Sequence, residues 1–279
     1  MFAPVLTDND YTRLAELIYK HSRIHLGENK RELVASRLGK RLRAMGCESY
    51  AEYCNLLSGL EGAEEVNNLV DAISTNHTFF FREQKHFDFL EQTVLSDFHR
   101  DSTFRGDGCF RCWSAAASTG EEPYSIAIVL AAHGEKNPGF RWEMECSDIS
   151  RTAMDAAMEG IYPEVRLNDV PPEWKKRFFQ RGVGSQIGRY RVKAELRNRM
   201  SWHLMNLFQD VYPFDTKFHV IFCRNVMIYF DKESQERLVQ RMARLLKPGG
   251  YLKVGHSESL AGIQHSLQTV RPAVYRKPV

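Results

Sequence analysis

Apolar side chains in the first part of the chain return at helical spacing. Leu14, Leu17 and Ile18 follow a capping cluster, Asp8-Asn-Asp10. From about residue 28 to residue 44, Val34, Leu38, Leu42 and Met45 recur at intervals of four, four and three, one apolar stripe that Gly46 closes. Residues 50–57 and 64–73 carry two shorter helical patterns, and no strand pattern precedes residue 108. The pattern predicts an all-helical head over residues 1–75.

From Cys109 onward, short apolar runs alternate with helical periods. Residues 109–114, 141–147, 200–204, 219–224, 251–255 and 273–276 read as strands. Residues 121–133, 150–159 and 232–247 read as helices, the last with Leu238, Val239, Met242, Leu245 and Leu246 on one face. Such alternation predicts an α/β domain over 109–279, with a mainly parallel sheet covered on both faces. Residues 76–108 then read as a linker and pocket loop. Between the helix ending near 159 and the strand starting at 200 lies a stretch, 160–199, that is longer than a crossover needs. Gly182, Gly184 and Gly188 punctuate it and residues 190–195 alternate, so it predicts a small antiparallel β-subdomain inserted into the larger domain.

Composition narrows the classes. A 43% apolar content excludes wholesale disorder, and 279 residues admit one large domain or two smaller ones. The net charge of +3 lends no support to a nucleic-acid partner. The charge is uneven, however. Residues 160–199 hold ten basic side chains (Arg166, Lys175, Lys176, Arg177, Arg181, Arg189, Arg191, Lys193, Arg197 and Arg199) against four acidic ones, Glu164, Asp169, Glu173 and Glu195. No apolar run reaches the length of a membrane span, so no membrane insertion is expected. The opening residues lack the basic and long apolar regions of a secretory signal. Six cysteines in a chain of this size form no dense disulfide framework, which makes the reducing cytoplasm the expected compartment.

The chemistry concentrates at one strand-to-helix junction, Trp113-Ser-Ala-Ala-Ala-Ser-Thr-Gly-Glu-Glu-Pro-Tyr124. Small residues after a strand let a ligand approach the backbone, and the helix then presents its positive N-terminal end, with Pro123 suited to the first turn. A dinucleotide fingerprint requires glycines where this chain has Ala116, Ser118 and Glu121. Glu121 and Glu122 repel a pyrophosphate but suit a cation; alone, they read equally well as first-turn acids favoured by the helix dipole. Asp148, at the end of the next strand, is placed to hold two ribose hydroxyls. The set favours S-adenosylmethionine, whose sulfonium and ammonium groups are positive, over a dinucleotide. Leu246-Lys-Pro-Gly-Gly-Tyr251 marks a helix stop before a strand.

At this point several blocks, in order, resemble one family: the chemotaxis receptor glutamate methyltransferases, or CheR family. They are Ser74-Thr-Asn-His-Thr-Phe-Phe-Phe-Arg-Glu83, the junction above through Ser125, Ser147-Asp-Ile149, Phe222-Cys-Arg-Asn-Val-Met-Ile-Tyr-Phe-Asp231 and Gly255-His-Ser-Glu258. The resemblance implies a helical N-terminal domain and a Rossmann-like methyltransferase domain carrying the β-subdomain. It implies methyl transfer from S-adenosylmethionine to glutamate side chains of chemoreceptors, giving methyl esters and leaving S-adenosylhomocysteine. It places Asn76, Thr78, Arg82, Ala116, Glu122, Asp148, Asn206, Leu207, Arg224 and Asn225 around the cofactor, with Arg82 and Tyr229 as the catalytic pair. His77 departs from the family pattern, which has a smaller or aliphatic residue there.

A glutamate acceptor is ionised near neutral pH and needs no general base, so alignment is the main task. Arg82 suits the holding of a carboxylate plane, and Tyr229 could donate to the same group. On the second helix Lys30, Arg37, Lys40 and Arg41 would dock the acidic cytoplasmic helices of a receptor by charge steering; the plain alternative is a solvated face. The basic insertion could in addition capture a receptor C-terminal peptide by strand addition, as part of the family does. Cys109-Phe-Arg-Cys112 places its thiols on opposite faces of a strand, and the histidines lack a metal-ligand spacing, so no metal site is expected. A methyltransferase with another acceptor and a non-catalytic adaptor remain as alternatives. Arg82 and Tyr229 speak against the adaptor, and the basic surfaces speak against a small-molecule acceptor.

Overall fold

A computed structural model describes residues 4–59 and 62–279; the three residues that begin the opening stretch discussed above lie outside it. The chain separates into two compact units. One holds the residues up to Thr75 together with Tyr229–Ser234, and the other holds Asn76–Ile228 and Gln235–Val279.

The smaller unit is built from α1 (Asp8–Ser22), a 3-10 turn (Glu28–Lys30), α2 (Arg31–Ala44), α3 (Tyr50–Ser58) and α4 (Gly62–Ile73). The α1 cap is Thr7, whose hydroxyl accepts from Asp10 N; the acids of the cluster fall within the first turn, where the helix dipole favours them. Leu14, Ile18, Val34, Leu38, Tyr53 and Leu69 are fully buried. The predicted stripe of α2 holds for Val34, Leu38 and Leu42 but not for Met45, which is 37% exposed. Met45 is the C-cap, where the helical angle that set the periodicity no longer applies. A carboxylate sits in this core. Glu65 receives the Tyr53 hydroxyl at 2.7 Å and is paired with Arg41. Within the same unit Tyr19 donates to Asp231 at 2.6 Å, and the Tyr229 carbonyl accepts from His25 N at 2.8 Å.

The larger unit begins with a nearly continuous helical run: α5 (Lys85–Phe89), a π-helical turn (Leu90–Val94), α6 (Leu95–Arg100) and α7 (Ser102–Arg105). Phe87, Phe89, Leu90, Val94, Leu95 and Phe98 are buried in the main core. The stretch read as a linker is thus in part core structure. The α/β portion follows: β1 (Cys109–Ser114), α8 (Glu121–Lys136), β2 (Arg141–Asp148), α9 (Arg151–Glu159), β3 (Ile161–Pro163), α10 (Pro172–Phe178), β4 (Phe179–Arg181), β5 (Arg189–Val192), α11 (Ala194–Arg197), β6 (Met200–Leu204), β7 (Phe218–Phe222), α12 (Lys232–Leu245), β8 (Leu246–Lys253), β9 (Gln268–Arg271) and β10 (Val274–Arg276).

Seven strands form one sheet in the order β6-β2-β1-β7-β8-β10-β9. The pairs β6–β2, β2–β1, β1–β7 and β7–β8 are parallel, and β10 runs antiparallel to both β8 and β9. The chain winds outward from β1 through β2 to β6, then returns to β7 on the other side. That reversal between β1 and β7 opens a crevice at the carboxyl ends of the strands. Every residue of β7 is buried, as a central strand covered on both faces requires. The first ten residues of α8 are buried on all sides, so its start is enclosed rather than amphipathic.

The insertion forms its own antiparallel sheet, β3-β5-β4. Tyr190 and Val192 face inward while Arg189 and Arg191 face out, the alternation a one-sided sheet demands. The strand is shorter than the pattern suggested: β5 ends at Val192, and Ala194–Arg197 turns into α11.

Candidate functional site

Four loops at the carboxyl ends of β1, β2, β7 and β8 build the site. The loop after β1 is strapped by its backbone. Ala115 N donates to Phe222 O at 2.8 Å, Ala117 N to Ser147 O at 2.9 Å, and Ser118 N to the Asp148 carboxylate at 2.7 Å. Ser118 takes a positive φ of 49° and Gly120 one of 97°, which turns the chain sharply into α8. A Cβ on Gly120 would lie 2.5 Å from the Tyr162 hydroxyl, so the small-residue stretch is required by packing as well as by access.

The acidic pair divides. Glu121 is 1% exposed; it accepts from the Thr119 hydroxyl at 2.6 Å and lies 3.5 Å from Arg166, and burial pushes its carboxyl above the usual range. It is held beneath the loop instead of offering a charge to a ligand. Glu122 accepts from the Ser114 hydroxyl at 2.7 Å and from Arg224 at 2.8 Å. Arg224, 4% exposed, also donates to the Arg82 carbonyl at 2.6 Å and to Glu83 at 2.9 Å. Burial works against the Glu83 carboxyl, yet His86, 3.1 Å away, and the bond from Arg224 hold it well below the usual range. Burial also lowers His86 to about 4, so its imidazole is neutral at neutral pH.

The 76–83 loop is pinned at three points. Asn76 donates to the Ser150 hydroxyl at 3.2 Å, the Thr78 carbonyl accepts from Arg166 at 2.9 Å, and the Arg82 carbonyl accepts from Arg224. Arg82 is a half-buried residue whose guanidinium donates to the His77 carbonyl at 2.8 Å and lies over the Phe79 ring. Asp148 accepts from Ser118 N and from Ser150 N at 2.9 Å, and Asn206 accepts from Phe208 N at 2.8 Å beside buried Leu207. Ala116 sits half-buried on the β1 loop. Of the predicted set, Asn76, Thr78, Arg82, Ala116, Glu122, Asp148, Asn206, Leu207, Arg224 and Asn225 all lie in the larger unit, at or beside the strand ends. Tyr229 groups with the smaller unit.

The basic residues of α2 are less available than their number suggests. Arg37 donates to the carbonyls of Ile73 and Ser74 and to the Thr75 hydroxyl, and Arg41 is paired with Glu65. Lys30 and Lys40 are exposed. Both partly buried arginines cap or brace α4, which counting charges along one helix could not reveal.

Sequence reasoning gave no role to Glu83, His86, Lys253 or Glu258. Lys253 is fully buried, donates to the His86 carbonyl at 2.6 Å, and is pushed well below its usual pKa by burial. A lysine inside an apolar strand was the available signal. Glu83, His86 and His256 bring ligand-capable atoms within 4.8 Å of one another, a grouping invisible to sequence spacing. Arg224, paired with Glu83 at 2.9 Å, already provides positive charge there.

The crevice fits S-adenosylmethionine. Two buried polar atoms at its edge, Ser118 Oγ and Arg224 Nε, have no hydrogen-bond partner among the described residues. Two carboxylates, Asp148 at the end of β2 and Glu122 in the first turn of α8, stand at the crevice, where a positively charged ligand gains and a pyrophosphate loses. Together with the winding order of the sheet, this defines a Rossmann-like S-adenosylmethionine-dependent methyltransferase.

Comparison with known proteins carries the assignment further. The CheR methyltransferase SAM binding domain matches residues 76–275 and the CheR methyltransferase all-alpha domain matches residues 9–74. The chain is 38% identical over 273 residues to the chemotaxis protein methyltransferase of Borreliella burgdorferi, covering 98% of this chain and 95% of that one. It is 40% identical over 270 residues to that of Salmonella typhimurium, with 97% and 90% covered. It is 42% identical over 270 residues to chemotaxis protein methyltransferase 2 of Pseudomonas aeruginosa, with 96% and 93% covered. The chain belongs to the CheR methyltransferase family. Among solved structures an rRNA methylase from Streptococcus thermophilus overlaps more loosely, at a TM-score of 0.36 and 9% identity over 70% of this chain and 95% of that one; that likeness adds nothing to the assignment. Among the described residues no helix is long and apolar enough to cross a membrane.

Proposed function

We propose that this methyltransferase esterifies glutamate side chains on the cytoplasmic helices of chemoreceptors, within the cytoplasm. The observation that carries the reading is the Arg82 loop. Its guanidinium sits on a segment tied to the cofactor crevice at Asn76, Thr78 and Arg82 itself. Such a group suits a carboxylate acceptor, since a guanidinium can fix both oxygens and the plane of the nucleophile.

In this reading Asp148 takes the ribose hydroxyls, and Ala116, Asn206, Leu207 and Asn225 line the rest of the cofactor crevice. Glu122, held by Ser114 and Arg224, supplies negative charge. S-adenosylmethionine, when bound, supplies an electrophilic methyl on a sulfonium. Arg82 orients the acceptor carboxylate and moves no proton. The carboxylate is ionised near neutral pH, so the chain provides alignment and a dry setting. Docking falls to Lys30 and Lys40, with Arg37 and Arg41 supporting the helix they stand on.

The β-subdomain offers a second surface for the same partner. β4 is an edge strand, and Arg181, Arg189 and Arg191 are exposed beside Val183 and Ile187, which are 82% and 74% exposed. An extended receptor C-terminal peptide with acidic and apolar side chains suits that edge, and tethering raises local concentration without altering the chemistry.

The test is transfer of labelled methyl from S-adenosylmethionine to a chemoreceptor cytoplasmic domain, followed by mild alkali. Label released as volatile methanol is the expected result. Alkali-stable label would reject a carboxyl acceptor.

A further inference from the structure

The block Gly255-His-Ser-Glu258 has no part in the function as stated so far, yet Glu258 is among the most heavily bonded side chains of the larger unit. It is 6% exposed and follows β8 in a turn closed by its own N–H on the Gly255 carbonyl at 2.9 Å. Its carboxylate accepts four backbone N–H groups. Oε2 takes Gly255 N at 2.6 Å and Asn225 N at 2.8 Å; Oε1 takes Met227 N at 2.8 Å and Ile228 N at 3.3 Å. Three of the four donors belong to the loop after β7, the loop that carries Arg224 and Asn225.

That loop needs an external anchor. The β7–β8 connection continues as far as Cys223 N on the Lys253 carbonyl. Beyond it the chain bends at Asn225, which takes a left-handed φ of 58°, and the N–H groups of Asn225, Met227 and Ile228 turn to one side. N–H groups turned away from water in a partly buried loop require an acceptor. The Glu258 carboxylate meets them all, and close approach is permitted because residue 255 is glycine. A Cβ there would lie 2.5 Å from Asn225 Nδ2 and 2.9 Å from Glu258 Oε2.

We propose that Glu258 is a positioning residue of the cofactor site, its carboxylate clamping the 224–228 loop so that Arg224 and Asn225 are set before the ligand arrives. The proposal rests on the assignment of Arg224 and Asn225 to the cofactor crevice. Only a carboxylate serves. Glutamine offers one oxygen for two N–H groups and turns an NH2 toward the other two; aspartate keeps the charge but shortens the reach.

The experiment compares the full chain with Glu258→Gln, Glu258→Asp and, as a control on the crevice itself, Asp148→Asn. Binding of S-adenosylhomocysteine is measured by calorimetry, and the ligand-free melting temperature is measured in parallel. Glu258→Gln is expected to weaken binding at least tenfold in folded protein and to speed amide exchange at Asn225, Met227 and Ile228, with protection of β1 and β7 retained. Glu258→Asp is expected to fall between Gln and the parent. If Glu258→Gln does not fold, Glu258→Asp decides, with a loss of threefold or more expected. Binding within twofold of the parent in the folded variant, whatever its melting temperature, would make Glu258 merely structural and overturn the proposal. If Asp148→Asn weakens binding while the Glu258 variants do not, the clamp alone fails. Parent-like binding by Asp148→Asn would defeat the crevice assignment, and the clamp with it.

Discussion

Arg224→Met gives the sharpest test of how the site is held together. The side chain is 1% exposed and bridges two carboxylates, Glu122 and Glu83, while donating to the Arg82 carbonyl. Methionine fills much of the volume but leaves two partly buried negative charges without their counter-ion. Removing one partner from a buried ion pair costs about 3–5 kcal/mol, and that is the expected loss. The cost is electrostatic, so two signatures follow. Adding Glu122→Gln removes one stranded charge and should restore about 1–3 kcal/mol, a coupling that contacting residues show and independent ones do not. The variant should also gain stability as pH falls. A stranded carboxylate has a folded pKa above its unfolded value, so the native state binds more protons and acid favours it. Urea unfolding followed by tryptophan fluorescence suits the measurement, because all four tryptophans lie in the larger unit. A loss below about 1 kcal/mol, or a double variant no more stable than Arg224→Met, would refute the claim that Arg224 is the counter-ion of Glu122 and Glu83.

Three further outcomes are expected. Gly120→Ala must place a Cβ at φ 97° and 2.5 Å from the Tyr162 hydroxyl. Left-handed strain of about 1–2 kcal/mol and overpacking of about 1–3 kcal/mol should both appear in the unfolding midpoint, and a neutral effect would show that the loop adjusts freely. His219 is fully buried in β7, accepts from Arg111 N at 2.9 Å, and is lowered to about 3 chiefly by burial and then by Lys247. Its unfolded form takes up a proton between about pH 6.5 and 3, so stability falls with acid across that window, by at most about 5 kcal/mol. His219→Phe should flatten that slope, and an unchanged slope would assign the acid sensitivity elsewhere. Arg82→Ala should cost about 2–3 kcal/mol in kcat/KM for the receptor, roughly 30- to 150-fold, with binding of S-adenosylhomocysteine reduced much less. Unchanged turnover would remove Arg82 from the reaction.

Much of the architecture was readable in the pattern of side chains. Val34, Leu38 and Leu42 announced a helix, and the apolar runs at Cys109 and His219 announced strands, because burial on one or two faces imposes a period that survives in the sequence. The crossover that was too long announced the insertion. The site was partly legible for a similar reason. Ala116, Asp148 and Arg224 lie at or just beyond strand ends, and in a parallel sheet those positions converge wherever the order reverses. The helical run at residues 85–100 was not legible, because its phenylalanines lie in a core whose other half is distant in sequence. Arg37 and Arg41 misled for the same reason: charge counted along one helix says nothing of the carbonyls and the carboxylate that α4 brings to them.

The sequence by itself determined the class of fold, the position of the junction after β1, and the preference for a positively charged cofactor. These depend on periods, on small residues and on acids at element ends, all of which are local. Tertiary structure decided what each charge does. Glu121 and Glu122 are neighbours in the chain, but packing buries one under Thr119 and aims the other at Arg224. Glu258 is separated from Asn225 by 33 positions, and only the parallel pairing of β7 with β8 brings its carboxylate to that loop. A buried charge takes its role from its nearest partners, and in a wound sheet those partners come from strands far apart in the sequence.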